Sequence, residues 1–168
     1  MTIRDADAGD VEAIAGIRVA SWRATYAGIV PPSVLDRLEV ARNAAWMTGR
    51  LANPGATGSL VIEERGRVVG YALLAPASDP DANGLGEVEA LYLAPASTGR
   101  GLGGALMDEA LVRLGAAGHG AVVLWVLTAN ARARRFYERA GFALDGASRM
   151  LDFDGLPIEE IRYRRSIG

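Results

Sequence analysis

The sequence predicts a mixed α/β (α+β) fold, a single domain over residues 1–168 in which a mostly antiparallel mixed sheet is flanked by helices. Three observations predict it. The chain has 168 residues and a mass of 17.7 kDa, the size of one hydrophobic core. Half of its residues are hydrophobic and 23% are charged, the composition of a packed globular domain rather than of a disordered tract or a rod. Strand-like apolar runs alternate with helical spacings in the order β, α, α, β, β, β, Gly-rich turn, α, β, α, β, β, and no repeat or linker divides them.

Residues 2 to 5 form a short strand. Asp7 can N-cap a helix over about 8 to 26, in which Val11, Ile14, Ile17 and Ala20/Ser21 share helical spacing. Pro31-Pro32-Ser33 breaks the chain; Val34, Leu35 and Leu38, then Ala41, Ala45 and Trp46, predict a second, shorter helical region ended by Asn53-Pro54-Gly55. Residues 59 to 63 and 67 to 75 are β-rich and meet across Glu64-Arg65-Gly66-Arg67, the compact turn of an antiparallel hairpin. A polar loop from Ser78 to Gly86 leads to a strand over Glu87 to Leu93, which Pro95 stops. Gly99-Arg100-Gly101-Leu102-Gly103-Gly104 then opens into a helix with the apolar stripe Leu102, Leu106, Ala110, Leu111 and Leu114, closed by Gly115 and Gly118. Ala121 to Leu127 is a continuous apolar run, the pattern of a strand buried on both faces. Asn130 can cap a helix that ends at Gly141, and Phe142 onward reads as two strands around the hairpin dipeptide Asp154-Gly155.

Composition removes several classes of function. A net charge of -2 and a pI of about 5.5 lack the electrostatic footprint of a general nucleic-acid binder. All 18 cationic residues are Arg, which excludes a P-loop lysine, a Schiff-base lysine and self-acylation on lysine; genome composition explains the bias equally well. Without Cys there is no disulfide, thiolate metal site or Cys nucleophile, and with His119 as the single histidine a multi-His metal site is excluded, so no metal is expected. The start of the chain has no long apolar h-region, and no window approaches the roughly 18 apolar residues of a membrane span, so a cytoplasmic location without a membrane partner is expected.

The strand, Gly-rich turn and helix from Glu87 to Leu114 form a site for anionic groups. A helix N-terminus offers unpaired backbone N–H groups and the positive end of its dipole, and glycines let a phosphate approach the backbone. Four glycines within six positions favour a phosphate cradle over a tight connection that needs Gly only for its φ angles. Residues 99 to 104 also spell G-x-G-x-x-G, but the context argues against a dinucleotide site. Pro95-Ala96-Ser97-Thr98 separates the strand from the glycines, and no acidic residue lies between Glu109 and Glu138 to hold a ribose.

Leu91-Tyr92-Leu93-Ala94-Pro95, Thr98-Gly99-Arg100-Gly101-Leu102-Gly103, Leu124-Trp125-Val126, Asn130, Phe136-Tyr137-Glu138 and Gly141-Phe142 together resemble the successive motifs of the GCN5-related N-acetyltransferase (GNAT) family, over about residues 87 to 142. The resemblance implies a GNAT-like acyl-CoA N-acyltransferase fold with acetyl-CoA as cosubstrate. It implies that the pyrophosphate lies on the amides of Gly99, Arg100, Gly101, Leu102, Gly103 and Gly104, and that the pantetheine arm bonds the strand at Leu91, Tyr92 and Leu93. That arm would enter a gap where this strand splays from Val122 to Leu127. Asn130 is implied near the arm and Tyr137 near the thioester sulfur; a plain N-cap and a core aromatic are the competing roles. The family's loop begins with Arg or Gln where this chain has Thr98, which removes a side-chain contact and leaves the backbone role intact.

Direct attack of an amine on a thioester needs a neutral nucleophile, an oxyanion donor and help for the departing thiolate. An alkylamine of pKa about 10.4 costs about 4 to 5 kcal/mol to deprotonate at pH 7. Glu87 and Glu89 share a face of their strand by alternation, together with Leu91 and Leu93 unless a bulge re-aims them. The resemblance makes Glu89 the first choice of base and Glu87 a substrate-side carboxylate; a solvated role for Glu89 competes. Trp22 and Tyr26, i,i+4 neighbours on the first helix, would wall the acceptor pocket with Trp125, or simply pack the core. Arg132, Arg134, Arg135 and Arg139 give a helix face that could meet the adenosine phosphates or merely be solvated. The expected function is acetyl transfer to a primary amine, small-molecule or peptide, with a homodimer suggested by the family; a non-catalytic acyl-CoA-binding module is the alternative. The identity of the amine is not legible.

Overall fold

The computed structural model describes residues 1–53 and 58–168, so the expected helix stop at Pro54-Gly55 lies outside the described residues. Its elements run β1 (Thr2–Asp5), α1 (Val11–Tyr26), α2 (Pro32–Asp36), α3 (Val40–Leu51), β2 (Gly58–Glu64), β3 (Arg67–Pro76), β4 (Gly86–Leu93), α4 (Leu102–Ala116), β5 (Ala121–Leu127), α5 (Ala131–Arg139), β6 (Ala143–Phe153) and β7 (Leu156–Ser166). The expected order holds, with two differences. Residues 8–10 form a 3-10 turn ahead of α1, because Asp7 caps Gly9 while the Asp10 carboxylate accepts from the Asp7 N–H and from Arg4, closing a tight turn before the helix begins. The second helical region is two helices, α2 and α3, separated at residues 37–39.

Among the described residues seven strands form one sheet in the order β1-β2-β3-β4-β5-β7-β6, antiparallel except for β4 beside β5. Both expected hairpin turns form, with Arg65 at φ 51° and Asp154 at φ 54° each followed by a glycine, the left-handed pair that a two-residue turn needs. The parallel contact is short: β4 and β5 pair only at Gly86↔Val122 and Glu87↔Val123. Beyond Glu87 the two strands fork, and the ladder that holds the rest of the sheet is missing there.

The halves on either side of the fork are joined by packing. Leu106, Met107, Ala110 and Leu114 of α4 are fully buried, and they cluster with Leu60, Ile62, Leu74 and Val88 from one half and Val122, Leu124 and Tyr163 from the other. Each such leucine contributes about 1.5 to 3 kcal/mol of burial. On the opposite face α1 and α3 cover Val61, Tyr71, Leu73 and Ala90, with Ile14 and Met47 at the centre. Strand β5 is buried on both faces as its apolar run predicts, with Trp125 less buried than the rest. No helix among the described residues is long and apolar enough to cross a membrane.

One irregularity positions the chemistry. Leu73 pairs with Ala90 but Leu74 pairs with Val88, so Glu89 is the extra residue of a β-bulge. Simple alternation through β4 therefore fails. Leu91 and Leu93 pack with Val88 in the α4 cluster, whereas Ala90 and Tyr92 join the α1/α3 cluster, and Glu87 does not share a face with Leu91 and Leu93.

Candidate active site

A cleft of about 900 Å³ opens at the fork, lined by α1, β4, the Gly-rich loop, β5, α5 and the β6–β7 hairpin. Its first wall is mostly backbone. Gly99 (φ 77°) and Gly101 (φ 80°) hold the left-handed conformation that turns the chain into α4, with Gly101 at the N-cap position. A Cβ at either would meet nothing within 4 Å, so open space lies beside these amides. Gly99, Gly101, Gly103 and Gly104 all line the cleft. At Gly103 a Cβ would sit 3.4 Å from the Phe136 ring, so this glycine also lets α5 close on α4.

Two of the expected loop residues contribute no side chain here. Arg100 turns away to Glu64, with contacts of 2.8 and 3.0 Å, and Leu102 is 5% exposed in the α4 cluster, leaving their amides as the groups on offer. Thr98 bonds its own Pro95 carbonyl at 3.0 Å, closing the turn after β4. Leu91, Tyr92 and Leu93 line the cleft as expected, although the Leu93 carbonyl already accepts from Ser21 Oγ at 2.7 Å. Asn130 caps α5, accepting from the Ala133 N–H at 3.1 Å, and also lines the cleft, so its two expected roles coexist. Of the α5 arginines, Arg132 and Arg139 line the cleft, whereas Arg134 is tied to the Tyr163 hydroxyl and the Thr128 carbonyl. His119 faces the Gly84 carbonyl at 2.9 Å, a loop contact away from the cleft.

The second wall is made of side chains. Trp22 and Tyr26 stack edge to face at 4.8 Å, and the Tyr26 and Tyr92 hydroxyls are 3.2 Å apart. Tyr137 packs against Phe136 and Phe142, yet its hydroxyl makes no hydrogen bond among the described residues. Burial, reinforced by Tyr92, pushes this phenol above its ordinary pKa, so it stays protonated across the physiological range. Burial also raises the Glu87 carboxyl above the usual carboxylate range, helped by the nearby charges of Glu89 and Asp79. Glu89, released from the ladder by its bulge, meets Arg50 Nη2 at 2.5 Å. Trp125 is held from behind: its indole N–H donates to Asp79 at 2.9 Å and the Arg149 guanidinium lies 4.1 Å from the ring centroid, so that N–H is not free for an acceptor.

Behind Trp125 lies a clasp with no local signature in the sequence. Arg162 of β7, 5% exposed, donates to Asp79 and Asp81 of the β3–β4 loop and to Asp145 of β6 at 2.7 to 3.2 Å. These bonds, the one to Asp81 foremost, raise the guanidinium further above its already high pKa. Arg18, Arg149 and Glu160 are further cleft residues that sequence reasoning missed. The one available signal was the i,i+4 spacing of Arg18 and Trp22, which places both on one side of α1.

The acetyltransferase (GNAT) family profile matches residues 18–142, three quarters of the chain. The chain belongs to the GNAT family of acetyltransferases. A Mycobacterium tuberculosis protein, probable N-acetyltransferase Rv2775, is 28% identical over 167 residues, covering 96% of this GNAT chain and 91% of that protein. A second, uncharacterized N-acetyltransferase of the same organism is 33% identical over 120 residues, covering 70% and 72%. Among solved structures, yncA of Salmonella typhimurium with its cofactor acetyl-CoA superposes with a TM-score of 0.75 at 26% identity, over 100% of this chain and 94% of that one. A ribosomal-protein-alanine N-acetyltransferase of Brucella melitensis reaches 0.78 at 20% identity over 99% of both chains, a likeness of fold alone. The GNAT match runs from Arg18 on α1 to Phe142 after α5 and so includes every lining element of the cleft except the β6–β7 hairpin.

Proposed function

We propose that this GNAT protein transfers an acetyl group from acetyl-CoA to a primary amine by direct attack, with Glu87 as proton acceptor and Tyr137 as proton donor. The observation that carries the proposal is the fork. It exposes the unpaired edge of β4, and the glycine loop, Glu87, Glu89 and the free Tyr137 hydroxyl border one and the same cleft. The residues present fit the cosubstrate. Backbone donors at the α4 N-terminus can hold a pyrophosphate without lysine, and open space lies where the phosphates must approach.

Acetyl-CoA, when bound, supplies the activated acyl thioester. The rest is done by the chain. Glu87, whose affinity for protons is raised by burial, takes the ammonium proton directly or through water; a base with its pKa moved toward neutrality is the better catalyst. Glu89 shares the cleft but its carboxylate is engaged by Arg50, which leaves Glu87 the carboxylate free to meet the ammonium. Tyr137 holds its proton on Oη at the cleft, available to a departing anion. The reading carries with it a cytoplasmic enzyme for a small-molecule or peptide amine, with a homodimer as the assembly to check by light scattering.

Purified protein incubated with radiolabelled acetyl-CoA and a panel of primary amines tests it. Amine-dependent release of CoA with label in the amine is the expected result. Tight CoA binding without turnover on any amine would favour a non-catalytic acyl-CoA-binding module.

A further inference from the structure

Arg18 stands apart from the other arginines around the acceptor wall. Arg149 is neutralised by Glu160 at 2.8 Å and Arg50 by Glu89. Arg18 lines the same cleft, is half-buried, and forms no ion pair among the described residues. Its guanidinium is instead held by two indoles, 5.3 Å from the ring centroid of Trp22 on α1 and 5.3 Å from that of Trp46 on α3. Such contacts fix the side chain in advance and leave its charge uncompensated by any carboxylate among the described residues. A second observation points the same way. The hydroxyl of the fully buried Tyr71 lies close enough for Arg18 to act on it, a third neutral contact that anchors the guanidinium without cancelling its charge. A half-buried cation that lines a cleft and is held only by neutral groups is suited to receive an anion.

We propose that Arg18 binds a carboxylate on the acceptor, so that the substrate class is a primary amine that itself carries a carboxylate, as an amino acid does. This rests on the transferase reading above. The cleft then has a complementary group for each end of such a molecule: the carboxylates Glu87 and Glu89 for the ammonium, and the planar fork of Arg18 for the carboxylate. An amine without the anionic end leaves the guanidinium desolvated and unpaired, which builds discrimination into the site.

Matched pairs that differ by one carboxylate test the proposal: L-phenylalanine with phenethylamine, L-methionine with 3-(methylthio)propylamine, and L-tryptophan with tryptamine. For each, kcat/KM is measured at fixed pH, and Kd is measured by calorimetry with CoA present. The unmodified protein should favour the carboxylate-bearing member of at least one pair by about tenfold or more. Because a carboxylate also acidifies the neighbouring amine, the diagnostic is the variant. Arg18→Gln should bring the ratio close to that expected from amine basicity alone, Arg18→Lys should keep part of the preference, and the CoA Kd should be the same in all three proteins. An unchanged ratio in Arg18→Gln, a CoA Kd weakened tenfold in that variant, or no discrimination by either measurement in any pair would overturn the assignment. Arg18-dependent discrimination in calorimetry without turnover of any amine would support the carboxylate site while removing the transferase reading.

Discussion

The proposed cofactor wall of the cleft comes from one contiguous stretch, β4 through α5, and offers mainly backbone groups. The acceptor wall is gathered from α1, the bulge in β4 and the β6–β7 hairpin, and works through side chains. The contrast explains why the walls differ in what they tolerate. A backbone site needs glycine where a turn must go left-handed and otherwise accepts many side chains, as Arg100 and Leu102 show by pointing elsewhere. A side-chain site depends on each group and on what holds it.

If the acceptor wall carries the chemistry, Glu87→Gln should have the largest effect. kcat/KM should fall by about 10² to 10⁴, the usual contribution of a general base, while CoA affinity measured by calorimetry stays unchanged. The unmodified protein should lose kcat/KM as the pH drops through a value above that of an ordinary glutamate, because the carboxylate is the active form and burial raises its pKa. That limb should vanish in Glu87→Gln. The sign for stability is opposite: folding disfavours ionised Glu87, so removing the charge should raise Tm at pH 7 and leave it unmoved at a pH where Glu87 is protonated. An acid limb that survives the substitution would return the role to Glu89 or to water.

The clasp behind Trp125 should come next. Arg162→Met leaves three carboxylates facing one another and should cost about 3 to 5 kcal/mol in urea denaturation at pH 7. The deficit should shrink on acidification. Asp81 is held below its ordinary pKa by the hydrogen bond from Arg162, so its share of the stability is present above the unfolded carboxylate value and lost as the pH falls through the folded one.

Tyr137→Phe sharpens the contrast within α5 itself. Folding and CoA affinity should change by no more than about 1 kcal/mol, since the hydroxyl makes no hydrogen bond among the described residues. Turnover under conditions where chemistry limits the rate should drop by about 10²-fold. Full activity would leave Tyr137 as a packing residue and solvent as the proton source. The smallest effect belongs to the backbone wall. Gly101→Val, strained at φ 80°, should weaken CoA by about 1 to 2 kcal/mol in calorimetry and leave acceptor KM unchanged.

The same contrast decides what the sequence makes legible. The order of elements, the glycine loop, the Asn130 cap and the apolar β5 are written in local pattern, and they are the parts of the proposed cofactor wall that the sequence makes legible. The β4 bulge has no such signature. It depends on how β3 and β4 pair, and it shifted the faces of Leu91 and Leu93 relative to Glu87. Arg18, Arg149 and Arg162 were invisible as site residues for a related reason. An arginine on an amphipathic segment looks solvated until tertiary structure shows whether a carboxylate, an indole or nothing lies opposite it.

The fork between β4 and β5 makes the thermal behaviour of this molecule a gauge of its cosubstrate. Two pairs of residues close the sheet at that point, and α4 packs across both halves. A ligand that bonds the open edge of β4 and the N-terminus of α4 acts as the missing rung. It stabilises the folded chain by RT ln(1 + [L]/Kd), about 2.7 kcal/mol at a hundred times Kd. If CoA is that ligand, the melting point of the whole domain should rise with CoA concentration, and a titration read by temperature alone should measure occupancy of the fork before any acceptor is known.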